Sequence, residues 1–309
     1  MGMSIAIALA LGVTFLNGFT DAPNSIATSV VTGAFSMRQA CLVSAIFNAI
    51  GLFISLAFNM SVTQSVIDGA NFGNNREIGV ISILLTTVLF SVLCWLFSMP
   101  SSESHALLSA LFGASFALSG TVKINAIFVI LFYMAVSCIG AFLLSCVTYK
   151  MLERTRLPFR TLQRISCAAS SAMHGSQDGQ KLVALFIFLY PMSKTPSLIF
   201  PSFAVCTMLF LGTLLGGGRI IKTMGEGIAP LNEKSAFVSE LSATACLSFV
   251  SILGCPVSTS NIKACSVAGA GLCDGKSVSV KTLIKMALTA ILTFPVCFVI
   301  SYLVTMLLV

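Results

Sequence analysis

The sequence predicts an all-α integral membrane protein made of two inverted repeats, and three observations point to this fold class. Of the 309 residues, 57% are hydrophobic and only 9% are charged, whereas soluble domains contain about 25% charged residues. The mean hydropathy is +1.00, and apolar runs of about 20 residues, enough to span a bilayer, recur along the whole chain. Two unusual polar motifs each occur twice, about half the chain length apart.

Ten apolar segments are predicted to be helices. They cover residues 3–31, 39–59, 78–98, 105–120, 124–149, 161–189, 197–217, 235–253, 261–273 and 282–309. The fourth and ninth segments are short and rich in Gly, Ala and Ser, and each follows a Pro-containing polar motif. Each is therefore predicted to form a helical hairpin with the segment before it, either re-entering the membrane or spanning it.

The number of crossings predicts that the two halves are inverted. A re-entrant hairpin gives three crossings in each half, and a spanning hairpin gives five. Both counts are odd, so the second half starts on the opposite side of the membrane, as in many secondary transporters. We divide the chain into a first membrane repeat (1–149), a cytoplasmic linker (150–164) and a second membrane repeat (165–309).

The loop charges predict the orientation of the chain. With the N-terminus outside, the inner loops hold twelve Lys and Arg residues and the outer loops hold three. The inner residues are Arg38, Lys150, Arg154, Arg156, Arg160, Arg164, Arg219, Lys222, Lys234, Lys276, Lys281 and Lys285, and the outer ones are Arg76, Lys123 and Lys194. Because basic residues collect in cytoplasmic loops, we expect both termini outside the plasma membrane. The same rule accounts for the net charge of +7 without a nucleic-acid partner.

The first polar motif places a carboxylate at matching points of two apolar segments. It runs from Asn17 to Asn24 in the first half and from His174 to Lys181 in the second, 157 residues later. A charge at the bilayer centre costs at least about 2.5 kcal/mol, so Asp21 and Asp178 are expected to face a cavity or a partner.

Helix-breaking residues flank both aspartates and predict a helix break at each. Gly18 and Pro23 flank Asp21, and Gly175 and Gly179 flank Asp178. A break frees backbone carbonyls, which could join the carboxylate in an oxygen cage for a hard cation. The amides expected to contribute are Asn17, Asn24 and Gln177. A protonatable aspartate is the competing use, and the spacing does not choose between Na⁺ and H⁺.

The second polar motif predicts an anion site at the hairpin tips. It runs from Pro100 to His105 and again from Pro256 to Asn261. Its hydroxyl residues are Ser101, Ser102, Ser104, Ser258, Thr259 and Ser260. Hydroxyls at the start of a helix, together with its free N–H groups, suit a tetrahedral oxyanion, and Lys181 would add charge. Ordinary N-capping is the alternative, but two matching tips favour binding.

At these residues the chain resembles the inorganic phosphate transporter (PiT) family, as a divergent member of bacterial type. The duplicated family signature is roughly Gly-Ala-Asn-Asp-x-x-Asn, and the family sequence Gly-Leu-Pro-Val-Ser-Thr-Thr-His is similar to Gly254–Asn261 and, more loosely, to Ser98–His105. The resemblance implies cation-coupled uptake of phosphate through an inverted-repeat fold. It also implies a second copy of the chain and a small cytoplasmic accessory protein as partners.

Carried over by position, the resemblance implies two sets of site residues. The substrate-binding set is Gln180, Lys181, Ser102, Ser104, Ser258, Thr259 and Ser260, and the coupling-cation set is Asp21, Asn24, Asp178, Asn17 and Gln177, with Asp21 and Asp178 as Na⁺ ligands if the cation is sodium.

Four positions depart from the family pattern. Thr20 and Gln177 replace the Asn before each Asp, Glu103 replaces a hydroxyl residue, and Asn261 replaces His. An ionised Glu103 would repel phosphate, so we expect it to pair with Lys263 across the two tips; protonation or binding of the coupling cation are the alternatives.

These residues favour a secondary transporter for phosphate, with another oxyanion such as sulfate as the alternative substrate. A passive ion channel and a non-transporting membrane receptor are competing classes. An enzyme is not expected, because each polar cluster is repeated symmetrically, which suits binding better than a single nucleophile. The eleven cysteines form no Cys-x-x-Cys and only two histidines are present, so we expect no zinc site and no cofactor apart from the coupling ion.

Overall fold

A computed structural model describes residues 2–96, 102–190, 199–216, 221 and 225–309 of the chain. These residues form α-helices and no strand. The helices are α1 (Gly2–Thr20), α2 (Pro23–Val31), α3 (Met37–Phe58), α4 (Ser61–Gly69), α5 (Arg76–Leu96), α6 (Glu103–Ser119), α7 (Ile124–Met151), α8 (Phe159–Leu189), α9 (Ile199–Leu215), α10 (Glu233–Ile252), α11 (Thr259–Cys273) and α12 (Val280–Leu308). Pro100, Ser101, Lys194, Arg219 and Lys222, used in the predictions above, lie outside the described residues.

The all-α class is confirmed, and all ten predicted segments are helical. The structure adds the short helix α4, whose sequence contains too many polar residues to be predicted as an apolar segment. Within the part of the chain that the structure describes, six helical stretches are long and apolar enough to cross a membrane: Gly2–Val31, Met37–Phe58, Arg76–Cys94, Ile124–Leu152, Glu233–Ile252 and Val280–Leu308. The chain is therefore a multi-pass membrane protein.

The two halves interlock, because the main helix contacts join one half to the other. Helix α1 packs on α9, and the matching helix of the second half, α8, packs on α3. Helix α6 packs on α12, and its counterpart α11 packs on α7. These reciprocal pairs are what two inverted repeats related by an internal two-fold axis produce.

Matched glycines allow the short arms of the hairpins to approach these neighbours closely. A Cβ atom built on Gly113 of α6 would lie 2.3 Å from the carbonyl oxygen of Phe298, and one built on Gly269 of α11 would lie 2.4 Å from that of Phe142. Real Cβ atoms do not come this close to an oxygen. A small residue at each position thus lets the two helix backbones pack closely.

The two short arms differ in length from the spanning helices. Helices α6 and α11 have 17 and 15 residues, which at 1.5 Å per residue gives about 25 and 22 Å. The hydrocarbon core is about 30 Å thick, and neither arm is among the six spans above. These lengths favour the re-entrant form of the hairpins over the spanning form.

The first helix of the first half is broken as predicted, but that of the second half is not. Helix α1 ends at Thr20 and α2 begins at Pro23, whereas α8 continues without interruption past Asp178. The reason is local. Pro23 has no N–H for an intrahelical bond, and the equivalent residue in the second half is Gln180. Glycine alone costs a helix only about 1 kcal/mol, so Gly175 and Gly179 do not interrupt α8.

Candidate ion and anion site

The break between α1 and α2 places the carboxylate of Asp21 inside the protein. Asp21 is 3% exposed. The N–H groups of both Asp21 and Ala22 bond to the carbonyl of Asn17, at 2.8 and 3.2 Å, so the helix widens there before α2 begins. Oδ1 of Asp21 accepts a hydrogen bond of 2.6 Å from the Asn24 amide and another from the Ser260 hydroxyl. The break thus supplies a buried carboxylate that reaches the second hairpin.

The unbroken helix α8 arranges its polar motif differently. Residues three and four apart lie on one helix face, so His174, Asp178 and Lys181 share a face. Nε2 of His174 lies 3.1 Å from Oδ2 of Asp178, and Nζ of Lys181 lies 2.7 Å from Oδ1. All three side chains are about 2% exposed. Asp178 therefore has its own cationic partner, and the freed carbonyls predicted beside it do not exist.

The two hairpin tips meet at these aspartates in a crossed arrangement. Ser104 of the first half donates to Oδ1 of Asp178 in the second half, at 3.2 Å. Ser260 of the second half donates to Asp21 in the first. Thr259 also donates to Oδ2 of Asp178, at 3.2 Å. Both motifs from both halves therefore converge on one place.

Lys181 ties the first tip to the second. Its ammonium donates 2.7 Å to the hydroxyl of Ser104 and 2.6 Å to the carbonyl of Val257, besides the bond to Asp178. Burying an ammonium is costly, and partners such as these offset the cost. The lysine thus places a positive charge between the two tips, where the sequence predicts an anion-binding group.

The carboxylates of the two halves lie close together. Ligand atoms of Asp21, His174 and Asp178 all lie within 4.8 Å of one another. Two carboxylates and an imidazole at this separation could hold one small cation, with the tip hydroxyls around it. The same oxygens could instead share a proton.

Four predicted site residues have their polar atoms engaged elsewhere. The Gln177 amide donates to Ser251, at 2.6 Å, and not to the group around Asp178. Gln180 accepts from the backbone N–H of Thr63, at 3.2 Å. Ser102 and Ser258 cap α6 and α11, accepting from the N–H of His105 and Asn261 respectively. The capping alternative thus holds for these two serines, although each hydroxyl proton is still free to point at an anion.

The predicted ion pair between Glu103 and Lys263 is absent, so that prediction is wrong. Glu103 instead accepts a hydrogen bond from Thr20 at the end of α1. Lys263 is 3% exposed, and its ammonium has no hydrogen-bond partner among the described residues. The two tips do meet, but the Glu103 side chain contacts α1 and not Lys263.

A second buried carboxylate forms a polar cluster that the sequence did not predict. Glu240 of α10 is 0% exposed, and it accepts from Thr28 and Ser29 of α2, at 2.5 and 2.8 Å, and from Ser166 of α8, at 2.5 Å. Three hydroxyls from two other helices satisfy this carboxylate. The sequence marks Glu240 as an ionisable residue in a membrane segment, but no spacing links it to those hydroxyls.

Comparison with known proteins places these features in a family. The chain matches the phosphate transporter family over residues 17–158 and 153–301. It is 29% identical over 309 residues to a probable low-affinity inorganic phosphate transporter of Bacillus subtilis (strain 168), covering 94% of this chain and 92% of that protein. It is 32% identical over 287 residues to a protein of the same description from Mycobacterium tuberculosis (strain ATCC 25618 / H37Rv), covering 87% and 68%.

A solved structure shares the whole fold. The structure, described as the sodium-dependent phosphate transporter, superposes with a TM-score of 0.89 over 99% of this chain and 98% of the other, at 19% sequence identity. The overlap extends over both halves, so the fold is common to the two proteins from end to end.

Proposed function

This chain belongs to the phosphate transporter family, and we propose that it takes up inorganic phosphate across the plasma membrane in symport with a cation, either Na⁺ or H⁺. The family match covers both halves of the chain, and the relatives described above are transporters, so the chain is a transporter and not an enzyme. The proposed orientation has the linker (150–164) in the cytoplasm and both termini outside.

The observation that carries the proposal is the crossed contact between tips and aspartates. Ser104, Thr259 and Ser260 come from the two hairpins and converge on Asp21 and Asp178. Tip hydroxyls and the Lys181 ammonium are suitable donors for a tetrahedral oxyanion, and the carboxylates are suitable ligands for a cation. Anion and cation sites therefore adjoin at the meeting point of the two halves.

This arrangement also suggests how a cation could promote phosphate binding. Each serine or threonine hydroxyl has a single proton to donate. In this structure the protons of Ser104, Thr259 and Ser260 are used by the aspartates. A cation, or a proton, that binds the carboxylates would replace those donors. The hydroxyls would then be free to turn to phosphate, so the two substrates would bind cooperatively.

Uptake into proteoliposomes tests the proposal. The purified protein is reconstituted, and uptake of ³²P-phosphate and ³⁵S-sulfate is measured with an imposed Na⁺ gradient, an imposed proton gradient, or neither. We expect phosphate to be concentrated only when one of the two cation gradients is present. Preference for sulfate would identify the other oxyanion as substrate, and uptake that never exceeds equilibrium would indicate a channel.

A matched pair of variants links the activity to the site. Ser104→Ala and Ser260→Ala remove the crossed donors, and each should weaken phosphate uptake by about tenfold, as expected for the loss of a hydrogen bond to a charged group. Ser119→Ala removes a partly buried hydroxyl at the far end of α6, where it bonds only to Ser115 and Thr121 among the described residues, and should leave uptake unchanged. Normal uptake in both tip variants would contradict the proposed anion site.

A further inference from the structure

Two small cavities lie on opposite sides of the contacts between the tips and the aspartates. The first, here called the outer cavity, is lined by Asn17, which precedes Asp21, and by α8 residues from Asp178 onward. The second, the inner cavity, is lined by Asn24, which follows Asp21, and by α8 residues that precede Asp178. In the proposed orientation the linker before α8 is cytoplasmic, so the inner cavity lies on the cytoplasmic side.

The internal repeat relates these two cavities to each other. Equivalent residues are 157 positions apart in the first motif and 156 positions apart in the hairpins. The equivalent residues that line the outer and the inner cavity include Lys181 and Asn24, Glu103 and Thr259, and Leu107 and Lys263. The cavities therefore occupy equivalent places in the two halves, but their charged groups do not.

The lysine of the inner cavity has no counter-charge in contact with it. In the outer cavity the Lys181 ammonium lies 2.7 Å from Oδ1 of Asp178. In the inner cavity Lys263 is 3% exposed, and it forms no ion pair or hydrogen bond with a described residue. Burial of an ammonium without partners is costly, so its three N–H donors are expected to serve a ligand.

Glu240 is the carboxylate whose charge Lys263 experiences, but its oxygen atoms are already engaged. It attracts Lys263 electrostatically across the space between α10 and α11. Its carboxylate accepts hydrogen bonds from Thr28, Ser29 and Ser166 and none from the lysine. Glu240 therefore offsets part of the charge of Lys263 and leaves the ammonium protons unbonded.

Hydroxyl and amide groups complete the inner cavity. Asn24, Ser25, Ser170 and Thr259 line it, and each is at most 5% exposed. None of the described residues that line this cavity is acidic. An ammonium among hydroxyls favours an oxyanion, because hydrogen bonds from lysine to phosphate oxygens are charge-assisted and therefore strong.

The inner cavity is too small for phosphate in this conformation. Its volume is about 10 Å³, which is room for about one water molecule. Alternating access moves one repeat against the other around the shared site, and such a movement would widen the cavity on the side that opens. The Lys263 ammonium is thus in position to meet the anion when the cytoplasmic side opens.

We propose that the inner cavity is a second oxyanion subsite, with Lys263 as its cationic group, which phosphate occupies after it leaves the tip hydroxyls. The subsite is present on the cytoplasmic side alone, because the equivalent residue of the outer cavity is Leu107. The inference rests on the proposed function and deepens it, since it adds a binding step to the path of the same substrate.

Phosphate exchange measured separately at each membrane face tests this subsite. Membrane vesicles of both orientations are loaded with unlabelled phosphate, and the KM for entry of ³²P-phosphate is measured. Inside-out vesicles report the cytoplasmic face, and right-side-out vesicles report the outer face. We expect Lys263→Met to raise the KM at the cytoplasmic face at least about tenfold, as for the loss of a charged hydrogen bond, and at the outer face less than about threefold.

Two further measurements separate binding from a structural role. Lys276→Met changes an exposed lysine in the loop after α11 and should leave both KM values unchanged. In phosphate-free detergent, Lys263→Met should keep or raise the melting temperature, because it removes a buried charge that has no bonded partner. A lower melting temperature would make Lys263 the structural counter-ion of Glu240 and would overturn the subsite.

The outcomes distinguish this inference from the proposed function. If the wild type exchanges phosphate and Lys263→Met has the same KM at the cytoplasmic face, the subsite is refuted while phosphate transport stands. An equal rise in KM at both faces would assign Lys263 to the tip site and would also refute a separate inner subsite. If the wild type exchanges no phosphate at either face, the proposed function fails and the subsite fails with it.

Discussion

At the residue scale, the two aspartates occupy equivalent positions but have different partners. Asp178 is held by a lysine and a histidine of its own helix, and Asp21 by an amide and the serine of the opposite tip. Both belong to the network in which hydroxyl protons would be exchanged between carboxylate and phosphate. Substitution of either aspartate is expected to abolish transport, but only substitution of Asp178 is expected to lower the thermal stability as well.

We predict that Asp21→Asn and Asp178→Asn each abolish concentrative phosphate uptake while the protein still inserts. Asparagine keeps the size of the side chain but loses the charge that attracts a cation. Asp178→Asn should also lower the melting temperature in detergent, because it leaves the Lys181 ammonium buried without its counter-charge. Uptake into proteoliposomes and thermal unfolding are the measurements. Asp68→Asn, at an exposed position on α4, is the control. Coupled uptake by Asp21→Asn or by Asp178→Asn would mean that the aspartate concerned has only a structural role.

Glu103 accepts a hydrogen bond from Thr20 and does not contact Lys263, whose ammonium has no hydrogen-bond partner among the described residues. The effects of changing the two residues should therefore be independent. Energetic coupling is expected only between residues that touch or share a network. We therefore predict that Glu103→Gln and Lys263→Met each reduce uptake, and that the free-energy losses add within about 0.5 kcal/mol in the double variant. Rates of phosphate uptake in the four proteins of the cycle give the coupling energy. Recovery of uptake in the double variant would instead support an ion pair between Glu103 and Lys263.

At the element scale, the short arms of the hairpins depend on close backbone approach. Gly113→Ala would place a methyl group 2.3 Å from the Phe298 carbonyl oxygen, so α6 must move away from α12. We predict that the free energy of unfolding falls by about 1–3 kcal/mol, the usual cost of overpacking. The melting temperature in detergent should fall accordingly.

Gly140→Ala on α7 is the matched control for that change. Its only close neighbour is the Cys246 sulfur at 3.8 Å, an ordinary contact, and alanine is the better helix former by about 1 kcal/mol. We expect this variant to be neutral or slightly stabilised. Equal melting temperatures for the two variants would mean that the contact between α6 and α12 tolerates expansion.

At the scale of the whole molecule, the arrangement of basic loops predicts that the linker is cytoplasmic. Thr155 in the linker and Asn74 in the loop before α5 are both exposed, and each is replaced by cysteine in turn. In a cysteine-depleted background, an impermeant thiol reagent added to intact cells should label position 74 and not position 155. After the cells are permeabilised both should be labelled. Labelling of position 155 in intact cells would reverse the orientation.

Much of the fold could be predicted from the sequence because the bilayer imposes simple rules. Apolar runs located eleven of the twelve described helices, and the repeated motifs placed Asp21, Asp178 and the tip hydroxyls at matching points of two halves. Helix α4 was missed because its polar sequence does not carry that signal. The break at Asp21 was predicted correctly from Pro23, which removes a backbone donor wherever it occurs in a helix.

The partners of each side chain were decided only by the tertiary structure. The sequence determined that the chain is a two-repeat membrane protein with carboxylates and hydroxyls in its interior, since burial of polar groups in lipid composition requires a partner or a cavity. It did not determine that Glu103 meets Thr20, or that Glu240 is satisfied by three hydroxyls. Those contacts join residues 74 to 212 positions apart, and interlocking of the two halves, which no local pattern encodes, brings them together.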